Sequence, residues 1–216
     1  MLFDLWRLNN IIHKTTTMKK IFAISTAVLG CLIAGAQSHH DANTAHAEFG
    51  LKAGLNIANL HVQNASSPDA KLGFNAGGLA HIHLSKHFAV QPEIMYSNQG
   101  AKETISNTDY KVNLHYINIP VLAQFMVDDG FRIETGPQLG VLASARQKVE
   151  GTSTDIKDNY KTADFAWAFG LGYITHAGVG IDARYNLGIS NINNASSTNV
   201  NNRVFQVGLF YQFRKM

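Results

Sequence analysis

From Glu48 onward, apolar residues alternate with polar or small ones at a period of two, the signature of strands. In 203–213, Phe205, Val207, Leu209, Tyr211 and Phe213 share one face, while Gln206, Gly208 and Gln212 share the other. The stretch 178–187 sets Val179, Ile181, Ala183, Tyr185 and Leu187 against Gly180, Asp182, Arg184 and Asn186. In 163–174, Phe165, Trp167, Phe169, Leu171 and Tyr173 oppose Ala166, Ala168, Gly170 and Gly172, and in 131–143 Phe131, Ile133, Leu139 and Val141 oppose Arg132, Glu134, Gln138 and Gly140. Four earlier segments have apolar faces of the same kind: Phe49, Leu51, Leu55, Ile57; Phe74, Ala80, Ile82, Leu84; Phe88, Val90, Ile94, Tyr96; and Ile117, Ile119, Val121, Phe125. Each of the eight is near the ~9–11 residues that a tilted strand needs to cross a bilayer.

The connections between them fall at roughly 61–71, 85–87, 99–113, 128–130, 144–163, 176–177 and 188–202, long and short in strict turn. An up-and-down membrane barrel alternates this way, with long loops outside the cell and short turns in the periplasm. The pattern predicts an all-β fold, an eight-stranded antiparallel up-and-down transmembrane β-barrel over 48–213. Phe49, Phe88, Phe125, Phe131, Tyr173 and Phe213 all fall on the apolar face near the short-turn ends, as an interfacial aromatic girdle requires. Pro92, Pro120 and Pro137 lie inside predicted strands, where a missing N–H weakens the ladder and bulges are the expected accommodation.

The segment before the barrel reads as an address. Met18-Lys19-Lys20 opens a basic region, 21–36 carries no charge, and Ala34-Gly35-Ala36 precedes Gln37. These are the parts of a secretory signal peptide over 18–36, cleaved between Ala36 and Gln37. Residues 1–17 are expected to reflect a start assigned too early, and 37–47 to form a flexible periplasmic linker. Val28-Leu29-Gly30-Cys31 has the outline of a lipoprotein box, but apolar residues continue past Cys31, which favours the cut at Ala36.

Composition agrees with this reading. Charged residues make up 15% of the chain and hydrophobic ones 45%, with 18 glycines and one cysteine. A disulfide framework and a cysteine-based zinc site are excluded. The formal charge of +3 falls to zero when 1–36 are removed, because Arg7, Lys14, Lys19 and Lys20 leave with Asp4 and 14 basic and 14 acidic residues remain. No basic patch points to nucleic acid.

Several segments resemble the PorT-like outer-membrane β-barrel family of Gram-negative bacteria. They are Phe49-Gly-Leu-Lys-Ala-Gly-Leu-Asn56, Val90-Gln-Pro-Glu-Ile-Met-Tyr-Ser97 with Gln99-Gly-Ala-Lys102, Tyr116-Ile-Asn-Ile-Pro120, Glu134-Thr-Gly-Pro-Gln138 and Gly180-Ile-Asp-Ala-Arg-Tyr-Asn-Leu-Gly188. The resemblance spans about 48–213 and implies a fold rather than an activity. The family's best-known member takes part in protein secretion and gliding, while most of its look-alikes are barrels without an assigned role.

Candidate chemistry gathers on the inner face. Lys52, Glu93, Arg132, Glu134, Asp182 and Arg184 give three positive and three negative charges in a lumen barely wide enough for its own side chains. Such charges must pair. A packed salt-bridge network is therefore expected in preference to a binding or gating site. His81 and His83 share the inner face with His87 in the next turn, but no third ligand has metal-site spacing. His115, Ser97 and Ser190 approach the outer rim without forming a recognisable catalytic motif. The expectation is a non-enzymatic barrel without a cofactor, a structural or docking scaffold with a link to protein secretion. A narrow passive porin is the alternative, and an outer-leaflet enzyme comes last. Its partners would be outer-membrane lipid and, through the long loops, other envelope proteins.

Overall fold

The computed structural model describes residues 47–213, apart from Ala65, Ser106, Asp128 and Asp129. The expected signal segment, its Ala36–Gln37 cleavage point and the linker up to His46 lie outside the described residues. Ala47, assigned above to the linker, begins the first strand. The elements are β1 (Ala47–Val62), β2 (Asp69–His83), β3 (Phe88–Ile105), β4 (Thr108–Met126), β5 (Phe131–Val149), β6 (Thr152–Asp155), β7 (Ala163–Ile174), β8 (Val179–Gly188) and β9 (Val200–Phe213), with a 3₁₀ turn at Lys157–Asn159. Eight of them form an antiparallel ring in the order β4-β3-β2-β1-β9-β8-β7-β5, closed by β4 on β5. The short β6 lies outside the ring, paired with the end of β5. First and last strands meet in a register running from Phe49↔Phe213 to Val62↔Val200. Closure satisfies every strand edge of the ring, which a lipid-exposed sheet requires.

The alternation is inside-out. Phe49 is 65% exposed, Leu209 62% and Leu51 61%, whereas Lys52, Glu93 and Arg184 are buried. An apolar outer wall of this extent belongs against lipid rather than water. The six girdle aromatics come together in register pairs at the short-turn end: Phe49 beside Phe213, Phe88 beside Phe125, and Phe131 beside Tyr173.

Two of the expected loops are strand instead. The segment 99–113 is not a loop: β3 runs to Ile105 and β4 resumes at Thr108, around Asn107 at φ 64°. Likewise β5 continues to Val149 and turns into β6 through Glu150 and Gly151, both at positive φ, the geometry of a tight two-residue hairpin. Above the membrane a strand needs no apolar face, so polar composition there does not mean irregular chain.

The prolines need no bulges. β3 and β4 keep one register on both sides of the interruption between Pro92↔Val121 and Met95↔Asn118, and β4 and β5 do so between Pro120↔Gln138 and Ala123↔Thr135. Each proline forgoes a bond on one side only and the ladder resumes in phase. The register shifts that do occur lie elsewhere, between Ala70 and Asn75 and at His115/Tyr116.

Candidate functional site

Inward positions on β1, β3, β5, β8 and β9 converge because the tilted strands bring residues far apart in sequence to one level. The centre is Arg184 on β8. Its Nη1 and Nη2 donate to Glu93 Oε2 and Oε1 at 2.9 and 2.8 Å, and its Nε donates to Glu134 Oε1 at 2.8 Å. Lys52 Nζ donates to Asp182 and lies 3.9 Å from Glu93 Oε1. Gln91 donates to Glu93 and Gln124 to Glu134, each at 2.8 Å. The bidentate Arg–carboxylate fork is the strongest ion-pair geometry available, and here it is removed from water.

Five of the six sequence candidates thus share one network, and Arg132 sits beside it. Its guanidinium donates to Gln91, Gln124 and Gln212 at 3.4 Å and lies 4.8 Å from the Phe210 ring centroid. Of these, Gln124 is a lumen-facing amide that the sequence offers beside Gln138 and Gln206, whereas Gln91 and Gln212 were not among the candidate residues. What could have singled them out is their place on the inner face among glycines and alanines.

Those small residues are sockets. A Cβ on Gly180 would meet the Phe210 ring at 2.1 Å, one on Gly170 would meet Glu134 Oε1 at 2.7 Å, and one on Gly208 would meet Asp182 Oδ1 at 2.8 Å. The long charged side chains fill space that their neighbours leave open.

Above this tier lies a neutral polar one. Asn56 donates to Ser97 Oγ and to the carbonyls of Phe74 and Asn98, and accepts from Asn75 and Gln206. Higher still the lumen turns apolar. Leu60, Leu114, Tyr116, Leu142 and Ala145 from the strands enclose Ile192, with Ile156 and Tyr160 packed against them. Ile156, Tyr160 and Ile192 come from the long connections after β6 and β8, which fold over the mouth. They are tied down by the Tyr160–Asn193 bridge and by Lys161 N donating to Ile192 O at 2.8 Å. Burial pushes the Tyr160 hydroxyl above its usual range. At the opposite end Leu79, Ile174 and Phe210 form a second apolar cluster.

The remaining candidates stay apart. His115 Nδ1 lies 2.6 Å from Tyr96 Oη, Ser97 points inward to Asn56 and Gln99, and Ser190 Oγ donates to Asp164. His81 meets His83 edge-on, and His87 stacks on Phe125. Among the described residues, no three His, Cys, Asp or Glu side chains converge as metal ligands.

A family model described as outer membrane protein beta-barrel domain matches residues 36–194. The solved structure of Neisserial surface protein A superposes with a TM-score of 0.55 at 18% identity, covering 78% of this chain and 99% of that one. Ail, the attachment invasion locus protein of Yersinia pestis, gives 0.51 at 17% identity with the same coverage. At these identities the likeness is one of fold. No curated protein matches the sequence.

Proposed function

The chain belongs to the outer membrane protein beta-barrel domain family, and on that premise we propose that it is a closed, non-enzymatic scaffold of the outer membrane. It presents an ordered polar sheet outside the cell for docking by other envelope components. The observation that carries this reading is the Arg184 fork on Glu93 and Glu134, which spans the lumen at its centre. An apolar cap and an apolar base lie above and below it, an arrangement that supports a filled barrel rather than a water channel. The paired extensions of β3, β4, β5 and β6 supply the candidate docking surface. The sequence resemblance supports a finer placement, a PorT-like barrel associated with protein secretion. The Ala34-Gly35-Ala36 ending supports export by a cleaved signal peptide.

Planar bilayers test the proposal. The purified wild-type protein should show no steady conductance, and large, stable, ion-selective openings would replace the scaffold by a porin.

A further inference from the structure

The outer wall carries one feature that a plain lipid-facing surface does not need. Across β8, β9 and β1 the register aligns Tyr185, Phe205 and Ile57 in one outward row and Leu187, Arg203 and Asn59 in the next, with His61 one step above. Below these rows the outward face is apolar down to the girdle: Val207, Leu209, Tyr211 and Phe213 on β9, beside Leu55, Ala53, Leu51 and Phe49 on β1. A groove of about 330 Å³ opens where the two characters meet, between Phe205, Tyr185 and Ile57 on one side and Arg203, His61 and Ser67 on the other.

Its depth follows from strand geometry. Arg203 stands ten residues along β9 from Phe213, about 33 Å of strand, or about 25 Å along the membrane normal at a tilt near 40°. That equals the usual apolar band of about 25 Å. Arg203 is therefore at headgroup level on the long-connection side. Its Nε is buried without a hydrogen-bond partner, and no ion pair engages it among the described residues. A planar guanidinium above an aromatic and aliphatic strip matches an anionic phosphate above an acyl chain.

We propose that this groove binds one phosphate-bearing lipid of the outer leaflet. Arg203 and the His61 imidazole hold its headgroup, and one acyl chain lies on Phe205, Tyr185 and Ile57. The inference rests on the outer wall being the lipid face, and heat-modifiable migration of each sample on gels checks that premise separately.

The test uses the mature protein in nanodiscs of dioleoyl phosphatidylcholine containing one-tenth dioleoyl phosphatidic acid, with retained lipid read by native mass spectrometry. Wild type should keep one phosphatidic acid about tenfold in excess of its share. Arg203→Gln should abolish that excess, Arg203→Lys should keep a reduced part of it, and Lys111→Gln, on β4, should leave it intact. Millimolar inorganic phosphate should not displace the lipid. No excess in wild type, an undiminished excess in Arg203→Gln, or full displacement by phosphate would each overturn the proposal. If Arg203→Gln does not fold, the wild-type excess and Phe205→Ala, expected to lower it several-fold, decide the matter.

Discussion

Replacing Arg184 by Ala removes the cation that two buried carboxylates share. Arg184, Glu93 and Glu134 have side chains no more than 2% exposed, so water does not reach the site to replace the guanidinium. Breaking a buried pair from one side costs roughly 3–5 kcal/mol, because the partner charge stays behind uncompensated. Here Glu93 loses a bidentate fork and Glu134 a charged hydrogen bond, which places the expected loss near the upper end, about 5 kcal/mol. With a urea slope of about 2 kcal/mol/M, the unfolding midpoint in lipid vesicles should fall by about 2–3 M. The triple variant Glu93→Gln, Glu134→Gln, Arg184→Met removes the stranded charges as well and should recover at least half of that loss. The assay is equilibrium urea unfolding followed by tryptophan fluorescence, with heat-modifiable migration as the check on folding. A loss below about 1 kcal/mol for Arg184→Ala would mean a wet, yielding lumen, and the filled-barrel argument would fail with it.

The wall was legible in the sequence because its chemistry has the same period as its geometry. A residue such as Leu209 or Phe49 declares its side by parity alone, and Phe213 and Tyr173 declare their depth by standing next to short turns. Parity also placed Lys52, Glu93 and Arg184 inside. It could not say which of them meet. Arg184 and Glu93 are 91 positions apart and Lys52 and Asp182 are 130, and their contact depends on tilt and register accumulated across several strands. The part played by Gln91, Gln124 and Gln212 was hidden for the same reason, since neutral amides announce no partner.

In the long-connection half, polar composition does not mean irregular chain, because β3, β4 and β5 continue through it. The signals were present. Gly151 admits the positive φ of a tight turn, and Ile156, Tyr160 and Ile192 are isolated apolar residues in otherwise polar connections, where exposure would gain nothing. Three prolines in neighbouring strands argued against long ladders. An antiparallel residue spends its N–H on only one side, so the register survives them.

Two further outcomes follow from packing. Gly180→Ala should cost about 1–3 kcal/mol in the same urea assay, because its Cβ would fall 2.1 Å from the Phe210 ring; adding Phe210→Leu should return most of it, and an additive double variant would show that the socket does not exist. The cap is tested by Ile192→Asp, since Ile192 is fully buried among Leu60, Leu114 and Leu142. A carboxylate there has no cation in the apolar cluster to meet it, so the connections after β6 and β8 should lift off the mouth rather than bury it. The ring itself is held by β1–β9 and β4–β5 pairing that does not pass through Ile192. Limited proteolysis should therefore cut within 150–162 or 189–199 at least tenfold faster than in wild type, while the barrel keeps its heat-modifiable migration and the bilayer stays silent because the Arg184 tier remains. Unchanged cleavage would remove the cap from the argument, and steady conductance in this variant would show that the apolar layer, not the ion network, closes the lumen.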